Sequence, residues 1–347
     1  MDGSARTRSP TEPERPQGAE VLAVVVNWNG WRDTLACVQS LRAVAAATFT
    51  VVICDNASSD SSIEHVIESL RSAAPAVEAS VQWDEGQQVI KLMGLDPVAG
   101  ATLKDVYLLP FTTNLGYAGA INRCIIWGRR RLQVGGYWLL NNDIKVAPDA
   151  LAHLMAATQL YPEVGLCGSV LLEWDDPARV QAIGGMFNHC LAVGRHVKTV
   201  ARGIDSPESV LFHIDYPVGA SLFVTERFLE KVGLMDDGYF LYYEEMDWCE
   251  RGRAKGFKPA VALRSRVRHK EGASTGSGGG VRGKSMLSEY YGVINRLRYT
   301  RKFSPRLVPL VWLSLLLVVA ERVIHGEWAR AALVLRLMLN PRSVARP

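Results

Sequence analysis

The stretch "VLAVVVNWNG", residues 21–30, is an unbroken apolar run that gives way to polar residues at Asn27. A run of this kind suits a strand buried on both faces, as in a parallel sheet covered by helices. Helical spacing of Leu35, Val38 and Leu41 follows it. The plan then repeats. "FTVVICDNASSD" (49–60) runs from a buried strand to Asp55 and Asn56, and Ser58 or Ser59 is placed to cap the helix "SSIEHVIESLRS". "DVYLLP" (105–110) reads as a third strand and "YWLLNND" (137–143) as a fourth. "NLGYAGAINRCIIWGRR" (114–130) reads as a turn into a helix, and "APDALAHLMAATQL" (147–160) as a helix with Pro148 in its first turn. Strands alternating with helices predict an α/β fold with a mostly parallel, Rossmann-like sheet and helices on both faces. Such sheets bind ligands beyond the carboxyl ends of their strands. Asn27, Asp55 and Asp143 each stand at such an end.

Outward from this core the pattern is mixed. Residues 72–104 have weak periodicity and read as a decorated connection. "VGLCGSVLL" and "PVGASLFVT" read as strands, "ERFLEKVG" as a short helix ending at Gly233, and "EEMDWCERGRAKG" (244–256) as a helix with acids first, bases later and Gly256 past its end. "KEGASTGSGGGVRG" reads as a loop and "SMLSEYYGVINRLRYTRKF" as a basic helix. Residues 307–320, "LVPLVWLSLLLVVA", form an apolar run of about 14 residues between basic flanks, short of the roughly 20 needed to cross a bilayer. It reads as an in-plane or re-entrant membrane anchor, with a buried core helix as the alternative. The expected organisation is a disordered tail over 1–20, an α/β domain over 21–284 and a basic helical region over 285–347. The domain divides into a nucleotide half, about 21–145, and an acceptor half, about 146–284.

The 347 residues are 48% hydrophobic and 21% charged, with a net charge of +4. That balance is ordinary for a globular chain and too mild to point to nucleic acid. The basic residues concentrate after Arg251, which suits an anionic surface or a phosphate-bearing substrate. The six cysteines are far apart with no C-x-x-C pair, so zinc and dithiol readings lack support and buried free thiols are expected. The polar, Pro-rich N-terminus has no apolar signal-peptide core. These features together point to a cytoplasmic protein.

Five constellations carry possible chemistry. Asp143 at a strand tip can bind Mg²⁺ or Mn²⁺ beside substrate phosphates, or simply cap the next helix. Asp55 can accept hydrogen bonds from a base or sugar, or close an Asx turn. Gly116 and Gly119 permit a close backbone approach ahead of a helix that offers N–H groups to an anion. Glu244, Glu245 and Asp247 crowd together, which raises some of their pKa values and suits a general base; acids also favour a helix N-terminus. His269, beside the Gly-rich loop, can complete a metal shell or be a surface histidine.

"VVVNWNG", "VVICDNASSD", "NLGYAGAIN", "WLLNND", the segment from Pro217 to Gly256 and "VRHKEGASTG" occur in an order that resembles the family 2 glycosyltransferases of GT-A fold, nearest their rhamnosyltransferase-like branch. The resemblance covers roughly Val21 to Arg301. It implies an inverting, metal-assisted transfer from a nucleotide-sugar. It places Asn27, Asp55, Asn114, Gly116, Asn122, Asn142 and Asp143 beside the donor, and Asp143 with His269 on the metal. Asn141 then stands where the family has the first acid of D-x-D. Gly219, Ala220, Ser221 and Glu244 fall on the sugar and acceptor side. Glu245 holds the position of the usual base, with Asp247 left open as the alternative. The implied donor is dTDP-rhamnose, with UDP-galactofuranose, UDP-galactose or UDP-N-acetylglucosamine as alternatives. The implied acceptor is a polyprenyl-diphosphate-linked glycan at the inner face of the cell membrane. A degenerate sugar-nucleotide-binding scaffold is the non-enzymatic alternative.

Overall fold

The computed structural model describes residues 20–199, 209–270 and 285–340. The expected tail, apart from Glu20, and the Gly/Ser-rich loop after Lys270 lie outside them. The first strand, β1 (Glu20–Asn27), is buried on both faces: Leu22 and Val24 join one hydrophobic cluster, and Val21, Ala23 and Val25 join the other. Helix α1 (Trp31–Leu41), β2 (Phe49–Asp55) and α2 (Ser62–Ala73) follow. Neither Ser58 nor Ser59 caps α2, whose N-cap position is Ser61. Ser58 turns back to Asp55 instead, because its hydroxyl and amide are recruited by that buried carboxylate.

Residues 72–104 are more ordered than their weak periodicity predicts. They hold a hairpin, β3 (Glu78–Asp84) and β4 (Gln87–Met93), which leads into β5 (Leu103–Pro110). The hairpin pairs antiparallel on the sheet edge. Its β3 strand is exposed or half-exposed throughout, so it carries no apolar alternation to read. Next come α3 (Gly116–Arg131), β6 (Val134–Asn141), β7 (Ile144–Val146) and α4 (Ala150–Leu160). Pro148 precedes α4 rather than entering its first turn.

The second half contains β8 (Val164–Glu173), β9 (Val180–Ala182), the hairpin β10 (Gly184–Asn188) and β11 (Val193–Val197), β12 (Val210–Leu211) and β13 (Ser221–Thr225). Then come α5 (Glu226–Val232), α6 (Glu244–Arg253) and β14 (Lys258–His269). The sheet order is β12-β14-β8-β13-β6-β1-β2-β5-β4-β3. Strands β5, β2, β1 and β6 are parallel neighbours. Antiparallel β13 separates β6 from the second parallel pair, β8 and β14. The expected α/β class is therefore borne out.

From β1 the chain moves outward through β2 to β5 and then returns to the other side of β1 as β6. That reversal opens a crevice at the carboxyl ends of β1 and β6. Asn27 is in register with Asp55, and Val26 with Asn141, so the polar tips share one edge.

Helices α7 (Met286–Phe303), α8 (Val308–Ile324) and α9 (Trp328–Leu339) are the last described elements. Tyr290, Leu297, Val311, Leu315 and Leu337 lie in the same apolar cluster as β1 and α3. The apolar C-terminal run is longer than the sequence reading allowed. Pro305–Ile324 is one 20-residue helical segment, long and apolar enough to cross a membrane by length and composition, with 17% of its most apolar window buried.

Candidate functional site

The strand tips are joined by side chains. Asn27 donates to Asp55 (2.7 Å) and Ser58 (3.1 Å) and accepts from Thr34 (2.7 Å) and Asn142 (3.2 Å). Asn142 also donates to the Gly30 carbonyl and to Thr34. Asn27, Asp55 and Asn142 are all buried, so this network fixes the loops after β1, β2 and β6 against one another. Asn56 supports the next loop. It donates to Asn114 (2.9 Å) and to the Gly116 carbonyl, and accepts from Leu115 N–H. Gly116 has φ +71°, and a Cβ there would lie 2.5 Å from the Phe240 carbonyl oxygen, so the close approach of α3 to that loop requires glycine.

Two adjoining cavities open over these tips, sharing Tyr117, Asn141 and Leu241 as a wall. The smaller, about 120 Å³, is bounded by Asn56, Asn114, Gly116 and Asn142. The larger, about 730 Å³, brings Asp143, Gly219, Ala220, Glu244, Glu245 and His269 together from four parts of the chain. Glu245 reaches it from the first turn of α6. A Cβ on Gly219 would lie 2.6 Å from Glu245 Oε1, so the absence of a side chain there admits the carboxylate. Glu245 is open to the cavity on one side, but most of its surroundings are protein. Burial raises its carboxyl, while its own backbone N–H and that of Gly219 partly offset the shift. Burial, with Glu245 beside it, holds Glu244 well above the carboxylate range, and Glu244 Oε2 has no hydrogen-bond partner among the described residues. Tyr117 donates to the Gly219 carbonyl (2.8 Å); burial and the nearby acids Glu245, Glu244 and Asp143 raise its phenol.

Asp143 Oδ1 and His269 Nε2 face each other at 3.4 Å. On the far side of the ring, Nδ1 lies 2.7 Å from the Gln181 amide oxygen, and Gln181 in turn donates to the His269 carbonyl. Gln181 thereby holds the ring so that Nε2 faces the Asp143 carboxylate. Among the described residues no cluster of three or more His, Cys, Asp or Glu is placed for a metal. The Asp143–His269 pair nevertheless fits a divalent cation that draws its other ligands from phosphate oxygens and water.

Other expected residues lie elsewhere. Asp247 faces away from the cavity and is fully buried. It accepts from Arg251 (2.6 Å), Lys302 (2.5 Å) and Tyr239 (3.1 Å). Asn122 braces α3, its amide pairing with both backbone groups of Met235. Ser221 joins a buried chain with Trp138 and Ser169. Asn27 and Asp55 support the crevice from beneath and line neither cavity. Asn56, Tyr117 and Gln181 were not among the expected site residues. The first two sit inside quoted motifs, whereas nothing local marks Gln181.

The fold and site define an α/β protein with a ligand crevice at its topological switch point. No protein-family model matches the chain. An N-acetylglucosaminyl-diphospho-decaprenol L-rhamnosyltransferase of Mycobacterium tuberculosis is 27% identical over 187 residues, 50% of this chain and 61% of that protein. The low-salt glycan biosynthesis hexosyltransferase Agl10 of Haloferax volcanii is 22% identical over 151 residues, 43% of this chain and 47% of that protein. The chain thus spans less than two thirds of these curated relatives. The resemblance to glycosyltransferases read from the motifs is borne out by both. Among solved structures, GalNAc-T7 with UDP, GalNAc and Mn²⁺ has a TM-score of 0.49 at 14% identity, over 72% of this chain and 43% of that one. TarS 1-349 of S. aureus has 0.46 at 10% identity, over 80% and 64%.

Proposed function

We propose that the protein is an inverting glycosyltransferase that moves a sugar, L-rhamnose from dTDP-rhamnose in the first instance, onto a lipid-linked glycan acceptor. The observation that carries this reading is the Glu245 carboxylate, seated against Gly219 and sharing one cavity with Asp143 and His269. The similarity to the mycobacterial rhamnosyltransferase supports the choice of sugar.

The smaller cavity, with Asn56, Asn114 and Asn142 on its wall, receives the nucleotide, and the larger receives the sugar and the acceptor. Asp143 and His269 would hold a divalent cation, which would supply positive charge to neutralise the diphosphate leaving group. Gln181 keeps His269 Nε2 directed at the site. The acceptor oxygen attacks the anomeric carbon as the bond to the diphosphate breaks, and Glu245 takes the acceptor proton. The raised pKa of Glu245 makes its ionised form a stronger base near neutral pH.

The apolar outer stripe of α8 supports a peripheral position at the inner face of the membrane. Leu310, Leu313, Leu317 and Ile324 are 44–81% exposed, with spacings of three, four and seven residues. Leu315, Val318 and Arg322 of the same helix line the larger cavity. Helix α8 therefore lies along the globular unit, which favours in-plane seating over a span.

The test is the thermal unfolding midpoint against a panel of nucleotide-sugars with and without Mn²⁺. The expected outcome is a Mn²⁺-dependent rise with dTDP-rhamnose that disappears in Asp143→Ala. A rise with a UDP-sugar alone would change the donor. No rise with any donor would overturn the reading.

A further inference from the structure

The wall of the larger cavity made by α7 and α8 carries two buried guanidinium groups with different surroundings. Arg322 is compensated: it meets Glu289 at 3.1 and 3.3 Å and Glu327 at 3.4 Å. Arg296 is not. It is 8% exposed, and it donates to neutral oxygens, the Leu191 carbonyl (2.7 Å) and Ser314 Oγ (2.6 Å). No carboxylate pairs with it among the described residues. A buried cation without a counter-charge is costly, and it is retained where a ligand supplies the missing anion. Burial accordingly lowers its pKa, though a guanidinium remains charged.

Its position identifies the ligand. Arg296 lies on the helix face that also presents Glu289, Gly292 and Val293 to the cavity, and it touches α8 through Ser314. The acids of this cavity stand elsewhere: Asp143, Glu244 and Glu245 at the strand tips and α6, Glu289 already on Arg322, and Glu321 exposed on α8. The site thus combines a guanidinium inside the cavity with an apolar helix leading away from it.

We propose that Arg296 binds the phosphate group of a lipid-linked acceptor, whose hydrocarbon chain follows α8 while its sugar reaches Glu245. This rests on the glycosyltransfer reading and adds the anchoring point of the acceptor. Guanidinium geometry suits bidentate contact with phosphate oxygens.

The test is calorimetric titration of the whole protein with farnesyl diphosphate, farnesol and inorganic pyrophosphate, beside a nucleoside diphosphate with Mn²⁺. Wild type is expected to prefer farnesyl diphosphate over farnesol and over pyrophosphate by at least about tenfold, the scale of a charge-assisted hydrogen bond. Arg296→Gln should remove the preference over farnesol and leave nucleotide affinity unchanged. Arg296→Lys, which keeps the charge, should retain part of it. Equal wild-type affinity for farnesyl diphosphate and farnesol overturns the proposal whether or not the variants fold, as does an unchanged preference in Arg296→Gln. Pyrophosphate binding as tightly as farnesyl diphosphate would assign the site to a free anion and overturn the acceptor role. If nucleotide binds while farnesyl diphosphate does not, this inference fails alone; if neither binds, the glycosyltransferase reading fails with it.

Discussion

Glu245 and Asp247 are two residues apart on α6, and their fates differ because a helix turns about 100° per residue. Glu245 points into the cavity. Asp247 points into the protein, where Arg251, Lys302 and Tyr239 engage it. Glu245→Gln is expected to keep the fold and donor affinity and to lower turnover by roughly 10²- to 10⁴-fold, the usual span for a general base. Asp247→Asn is expected to act through stability instead, costing on the order of 3 kcal/mol, because it strips the counter-charge from a buried ion cluster. Denaturation and single-turnover measurements on both variants separate the two roles; a stable but inactive Asp247→Asn would reverse the assignment. Glu244 allows a pH test. Its folded carboxyl is raised well above 4.5, so its stabilising contribution is complete below the unfolded value and is lost as pH rises through the folded one. Glu244→Gln should therefore raise the unfolding midpoint at about pH 8, and the gain should vanish near about pH 4. A gain that is equal at both would exclude ionisation as the cause.

At the scale of elements, the run "VLAVVVN" announced its strand because burial on both faces leaves no polar position. The β3–β4 hairpin escaped notice because an exposed edge strand has no such signature. The acidic cluster of α6 was visible, but its orientation was set by the loop before it. Phe240, Tyr242 and Tyr243 all have positive φ, an unusual density for residues other than glycine. The C-terminal helix was underestimated because Glu321 and Arg322 ended the apolar run by composition. In the structure Arg322 is buried in its ion pairs, so the helix continues through it. The outer stripe of α8 makes its own prediction. Leu317 is 72% exposed, so Leu317→Glu should leave the unfolding midpoint unchanged. It should weaken co-sedimentation with anionic vesicles on the order of tenfold. Unchanged vesicle binding would remove α8 from the membrane contact.

At the scale of the whole molecule, α7 connects the C-terminal helices to the site. Asn295 is buried and directs its amide at the carbonyls of Tyr239, Leu241 and Tyr242, the strained loop that aims α6. Asn295→Ala should cost about 2 kcal/mol through the stranded carbonyls and should also lower turnover, since Glu245 follows that loop. Lost stability with unchanged turnover would confine Asn295 to packing. The sequence by itself determined the α/β class, the strand tips at Asn27, Asp55 and Asp143, and the resemblance to glycosyltransferases, because each is written in contiguous runs of a few residues. Tertiary structure alone decided that Glu245 faces the cavity while Asp247 is locked away, that Asn27 and Asp55 brace the crevice from beneath, and that Gln181 orients His269. It alone placed Arg296 on a cavity wall with no carboxylate paired to it among the described residues. Those outcomes depend on the rotation of helices and on partners tens to hundreds of residues distant, which no local pattern records.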